Sequence, residues 1–222
     1  SALTDNQLDG AAVVASVVPN VVETLVRNNT LLDTQRGVEI RGGALTADAV
    51  WPRTAYEYHV QRRSDVTVAR GVELDLEAGL VLKFGVAEGH ENDSDFLVEG
   101  RLNARGTADA PIIFTSLRDD GIGGDTNGDG VASSPSPGDW GRLRFGTDAS
   151  GSVAHLEIHY GGGGNTGNCC GANQPGVAAF EVSGVEAPLM EHLTVINSQT
   201  RGAKIHVTGG IHWNLDQSAF RF

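Results

Sequence analysis

The stretch Val66-Thr-Val-Ala-Arg-Gly-Val-Glu-Leu-Asp-Leu-Glu-Ala-Gly-Leu-Val-Leu-Lys-Phe84, continued through Ser116, decides the fold. Val72, Leu74 and Leu76 alternate with Glu73, Asp75 and Glu77, so successive side chains point to opposite faces of a strand. Leu82 and Phe84 flank Lys83, Phe96 and Val98 flank Leu97, and Leu102 and Ala104 flank Asn103. Ile112 and Phe114 close the series after Gly106 and Pro111. These are short strands, each with one apolar row, and no helical period runs through them.

Two architectures suit such strands. A sandwich of hairpins needs tight Asn-Gly or Asp-Gly turns between antiparallel partners. Here the joints are single glycines, Gly71, Gly79, Gly100 and Gly106, which suit corners between the faces of a coil. Stacked coils place like residues on like and bury a core that no single coil could bury alone. The reading is an all-β solenoid with long loop excursions.

Asp65–Phe84, Leu97–Ala108 and Ala110–Ser116 resemble coils of bacterial right-handed parallel β-helix repeat proteins, and Gly138-Asp-Trp-Gly141 and Ile158-His-Tyr-Gly-Gly162 continue the likeness. It covers the chain from about Tyr56 to Gly162. The resemblance implies a right-handed parallel β-helix of the kind that serves as a scaffold in secreted and cell-surface proteins. It names no activity.

Composition narrows the partners. Sixteen Lys and Arg against 28 Asp and Glu give a net charge of −12, which disfavours nucleic acid or an anionic membrane as a partner. The same balance favours divalent cations and extracellular surroundings. No apolar run is long enough to span a bilayer.

Residues 1–50 read as an N-terminal cap or assembly segment with a first coil, and residues 51–222 as the parallel β-helix. Gly10 to Val22 is rich in Ala and Val and reads as a strand in preference to a short capping helix. Val22-Glu-Thr-Leu-Val-Arg-Asn-Asn29 is similar to Met190-Glu-His-Leu-Thr-Val-Ile-Asn197. Arg36–Ile40 is similar to Arg201–Ile205, so both ends read as coils without an evident polar terminating segment. Trp213 to Phe222 is apolar enough to need covering. Tyr56 and Tyr58 read as packing residues, and the acidic loop Gly85 to Asp95 as a solvated excursion.

One segment carries specific chemistry. Asp119 to Asp139 contains Asp125, Asn127 and Asp129 at the first, third and fifth positions of a Ca²⁺ loop, with Gly130 at the sixth. Hard oxygen ligands at alternate positions of a tight turn converge on one cation, and the Val131 carbonyl is a natural addition. The twelfth position is Ser136 rather than Glu, so Asp119, Asp120 or Asp139 has to close the shell. The expected role of the Ca²⁺ is structural, pinning a long loop. His155 and His159 on one strand lie about 13 Å apart and do not share a metal. The glycine-rich loop 161–176 holds the adjacent Cys169 and Cys170. A vicinal disulfide is the preferred reading, with free thiols and bonds to another subunit left open.

The function expected from the sequence is that of a non-catalytic, extracellular or cell-surface structural protein. Its solenoid associates with copies of itself head to tail, as a fibre or surface layer. The alternative is a β-helix that binds or degrades glycans, through carboxylates or through Ca²⁺ with the outward Arg142 and Arg144. No Gly-x-Ser-x-Gly elbow marks a serine hydrolase.

Overall fold

The structure is a computed structural model, and it describes residues 5–9, 15–32, 37–86, 94–163, 177–184, 188–207 and 219–220. Cys169, Cys170, most of the acidic 85–95 loop and most of the Trp213–Phe222 segment lie outside the described residues.

In chain order the strands begin with β1 (Asn6–Asp9), β2 (Ala15–Val17), β3 (Asn29–Leu32), β4 (Val38–Ile40), β5 (Gly43–Leu45) and β6 (Ala49–Trp51). They continue with β7 (Tyr58–Val60), β8 (Val66–Val68), β9 (Glu73–Leu76), β10 (Val81–Phe84), β11 (Phe96–Val98), β12 (Arg101–Arg105) and β13 (Ile112–Ser116). The last are β14 (Leu143–Phe145), β15 (Ser150–His159), β16 (Ala178–Gly184), β17 (Leu189–Ile196), β18 (Arg201–Val207) and β19 (Ala219–Phe220). One helix, α1 (Val22–Arg27), follows a 3₁₀ turn at Pro19–Val21.

Every ladder between these strands is parallel. An eleven-stranded sheet follows the path β2-β4-β7-β10-β13-β15-β12-β9-β6, with β17 and β19 added through β15. A six-stranded sheet runs β18-β16-β14-β11-β8-β5, and β1 pairs with β3. The chain is therefore an all-β protein of curled parallel sheets. Parallel neighbours are covered on the inner face, and the registers show how. Val38, Tyr58, Leu82, Phe114, Ile158 and Val195 form one continuous row across six strands, all buried. Leu45, Val68, Val98, Phe145 and Val182 form another, continued by the half-buried Ile205. Aromatic rings fill the wider spaces: Phe84 stacks on Trp140 at 4.1 Å, and Trp51 meets Phe96 edge-on at 6.2 Å. Tyr56 and Tyr58 pack edge to face, with the Tyr58 hydroxyl donating to the Pro52 carbonyl.

Leu156 and Ile158 point into the core and are fully buried, whereas Tyr160, just past the end of β15, is only half-buried at a left-handed backbone position. His155 and His192 occupy equivalent left-handed corners and stack on each other at 4.3 Å.

The first turns of the chain correct the sequence reading. Val22–Arg27 is helical, whereas its look-alike Met190–Val195 lies within the strand Leu189–Ile196. Leu189–Ile196 has β15 beside it to complete its backbone hydrogen bonds. Val22–Arg27 follows Pro19, whose fixed φ and missing N–H start a turn, and a helix satisfies its own backbone without a strand neighbour. Val22, Leu25 and Val26 at helical spacing supply its apolar face, and Val22 and Leu25 are fully buried. This segment covers the free edges of β5 and β6, so that end of the stack does carry a terminating element.

Gly71 and Gly151 both hold left-handed backbone angles, but only at Gly151 would a Cβ strike backbone, 1.9 Å from the Leu102 carbonyl oxygen. Gly71→Ala is expected to cost about 1 kcal/mol, the conformational penalty alone, whereas Gly151→Ala costs at least about 3 kcal/mol because β12 and β15 must separate. Urea denaturation of the two variants measures the difference.

Candidate metal loop and charged outer rows

The outward positions of β2, β4, β7, β10 and β13 stack in register as Ser16, Glu39, His59, Lys83 and Thr115. On an open sheet these would all face solvent. Instead Lys83 and Thr115 are completely buried, because the 119–139 loop folds back across them. The Lys83 ammonium donates to the carbonyls of Asp119 (3.0 Å) and Gly124 (2.6 Å). Burial pulls its pKa below the usual lysine range, while the surrounding carboxylates of Glu57, Asp119, Asp120 and Asp125 oppose that shift.

The two feet of the loop stand on adjacent residues of β13. Asp119 accepts from the Thr115 hydroxyl at 2.7 Å, and Asp139 accepts from the Ser116 hydroxyl at 2.6 Å. Asp139 also accepts from the Ser136 amide and pairs with Arg118 at 3.3 Å. Between the feet, the Asp125 carboxylate gathers three backbone amides: Gly128 at 2.7 Å, Asp129 at 3.1 Å and Gly130 at 2.8 Å. Gly128 and Gly130 adopt positive φ, which turns those amides toward one point. The Asn127 side-chain amide and the Ser133 hydroxyl both donate to Asp129.

Of the residues expected to hold Ca²⁺, the structure brings Asp120, Asp125 and Asp129 together, with one carboxylate oxygen of each within 4.8 Å of the others. Oxygens on opposite sides of a Ca²⁺ ion are separated by about 4.6–5.2 Å, so the spacing fits. One oxygen of Asp120 is buried without a hydrogen-bond partner among the described residues, and burial with the nearby Asp125 charge raises the pKa of this carboxyl. Asn127 lies within the same turn. Asp119 and Asp139 serve as the loop's anchors on β13, and the Val131 side chain is 95% exposed beyond it. Lys83, Thr115 and Ser116 are the residues that sequence reasoning passed over. The signal available was a lysine between two inward residues, Leu82 and Phe84.

Beside the loop lies a cleft of about 590 Å³, floored by Glu39 and His59 and walled by Arg62, Arg118, Asn127 and Asp129 among others. Glu39 accepts from the Ser16 hydroxyl at 2.6 Å, and His59 Nε2 lies 3.7 Å from its other oxygen.

Comparison with known proteins gives no match: neither a family, nor a curated protein, nor a solved structure matches this chain. The site therefore has to be read from its own geometry.

A second charged row lies on the six-stranded sheet. Arg142 binds Asp95 through its backbone amide (3.1 Å) and Nε (3.2 Å), and reaches Glu181 at 2.7 Å; Lys204 reaches the other Glu181 oxygen at 2.9 Å. Arg142, one of the two outward arginines considered for glycan chemistry, is thus committed to two carboxylates. No helix among the described residues is long and apolar enough to cross a membrane.

Two outcomes follow from these contacts. Lys83→Met keeps the buried stem but strands two carbonyls, so it is expected to destabilise the fold by about 1–3 kcal/mol and to speed amide exchange across residues 119–130. Burial pushes Asp95 up to about 6 despite Arg142, so its contribution is full below about pH 4 and is lost as pH rises through 6. Asp95→Asn removes that loss. Relative to the variant, the wild type should lose on the order of 2–3 kcal/mol between pH 4 and pH 7, read from urea midpoints.

Proposed function

We propose that the chain is a non-catalytic, extracellular structural protein whose parallel strands wind as a right-handed β-helix and whose ends associate with further copies. The observation that carries this reading is the in-register parallel stacking of inward rows from Ala15 to Val195 and from Leu45 to Ile205. Right-handed winding is the sense nearly all parallel β connections take. Such a stack has unsatisfied edges only at its two ends, and head-to-tail contact between unlike ends propagates into a filament. The same reading makes the chain akin to bacterial parallel β-helix repeat proteins of secreted or cell-surface type.

Ca²⁺ is proposed as a structural ion held by Asp120, Asp125 and Asp129, with Asn127 and the Val131 carbonyl as further oxygen donors. It would neutralise three clustered carboxylates and rigidify the half of the loop that Lys83 does not reach. Under the glycan alternative the cleft at Glu39 and His59 would be the binding place. Its mixture of carboxylates and guanidinium groups selects no particular sugar, so the structural reading is preferred.

Concentrated protein held for days in millimolar Ca²⁺ is expected to grow unbranched filaments in negative stain. Persistent monodisperse monomer by light scattering would overturn the assembly reading. In the same samples, chelation should lower the melting temperature, and Asp125→Ala should abolish that dependence on Ca²⁺.

A further inference from the structure

The turn at residues 125–130 contains the only Asn-Gly pair in the chain, Asn127-Gly128. That pair carries a reaction of its own. An asparagine side chain can be attacked at Cγ by the backbone nitrogen of the residue that follows, and a glycine there has no Cβ to obstruct the approach. The Gly128 nitrogen, once it has lost its proton to hydroxide, forms a bond to Asn127 Cγ. The Cγ–Nδ2 bond breaks, and ammonia leaves. Water then opens the five-membered imide at one carbonyl or the other, which leaves aspartate or isoaspartate at position 127. Water and hydroxide are the only co-reactants. Gly128 is exposed and Asn127 is half-buried on the wall of the cleft, so solvent reaches both.

The fold commits both reacting groups elsewhere. The Gly128 amide donates to Asp125 at 2.7 Å, which turns the nucleophile toward a carboxylate whose charge also opposes loss of the amide proton. The Asn127 side chain donates to Asp129 at 3.0 Å and to the Ser133 hydroxyl at 3.2 Å, and accepts from the Asp129 amide at 3.2 Å. Bringing the nitrogen onto Cγ disrupts this network. The reaction therefore proceeds from an opened turn, at a rate set by how often the turn opens. Asp125 is the immediate restraint. Lys83 is the remote one, since its bond to the Gly124 carbonyl at 2.6 Å fixes the residue before Asp125.

We infer that Asn127 is a site of spontaneous deamidation, and that Asp125 and Lys83 set its rate by keeping the turn closed. The consequence is built into the contacts. An amide that donates to Asp129 and Ser133 becomes a carboxylate that only accepts. Its contact with Asp129 turns into a like-charge pair, its contact with Ser133 loses the donor, and the isoaspartate form also lengthens the backbone by a methylene. Either product loosens the turn and adds a negative charge to that wall of the cleft. None of this requires an ion in the turn.

The test incubates the full chain at mildly alkaline pH, native and in urea, and reads the fraction of amide converted to acid at position 127 by peptide mass mapping. Asn103, held in β12 by Glu73 and Asp75 and followed by Ala104, is the internal reference. In the native chain conversion is expected at Asn127 and not at Asn103, slower than in urea by a factor of about ten or more. Asp125→Ala and Lys83→Met should each convert about tenfold faster than the wild type. Amide exchange at Gly128, Asp129 and Gly130 should quicken as the acid accumulates, and Asn127→Asp should show the faster exchange from the start. If the native wild type and both variants stay unconverted after the unfolded chain has converted fully, the site is overturned. Conversion of the native wild type as fast as in urea, or unchanged rates in both variants, would overturn the restraint by the fold. Unchanged exchange in Asn127→Asp would overturn the loosening. Where Asp125→Ala does not fold, Asp125→Asn, which keeps the shape and removes the charge, is measured in its place.

Discussion

The structure depends on one constraint: every strand must find a parallel neighbour on each edge, in register. In a parallel ladder each strand spends its backbone donors and acceptors alternately on the strand before and the strand after. Because the side-chain period is two, a slip of one residue in any layer would turn Phe114 or Phe145 outward and Lys83 or Arg144 inward. The rows of like residues are therefore the cause of the register as much as its result. Inside, Val, Leu and Phe repeat from strand to strand; outside, Asn103 bridges Glu73 and Asp75 at 2.6 and 2.7 Å and accepts from Ser152. Both faces enforce the same alignment.

A stack of this kind has its difficulty at the ends, where backbone groups face nothing. The chain answers with residues 19–27. Asn and Glu side chains can imitate a strand edge because a carboxylate or amide oxygen presents the same acceptor as a peptide carbonyl. The helix beside them needs no partner of its own. This division of labour explains why a segment resembling a strand-forming sequence becomes a plug.

The 119–139 loop shows a second economy. A loop of that length loses much conformational entropy on ordering, and three devices offset it: Thr115 and Ser116 hold its feet, Lys83 props the first half, and Asp125 folds the second half around its own carboxylate. Burying an ammonium is costly unless it is hydrogen-bonded, and the two carbonyls at 3.0 and 2.6 Å supply that compensation. The clustered carboxylates of Asp120, Asp125 and Asp129 are the ones whose mutual repulsion a cation would relieve.

Strand positions were legible in the sequence because period-two alternation and glycine corners are local properties. Val72-Leu74-Leu76 and Leu82-Phe84 announce their faces without reference to any other part of the chain, and the spacing of Asp125, Asn127 and Asp129 likewise announces a tight acidic turn. What sequence could not decide is what each face meets. Lys83 reads as an exposed residue until a loop 36 residues further on covers it. Val22–Asn29 and Met190–Asn197 are alike as strings, and only the presence or absence of a strand alongside separates helix from ladder. Local side-chain pattern sets which way a residue points; the hydrogen-bonding partners that tertiary structure brings alongside decide whether that direction ends in water, in the core or beneath another part of the chain.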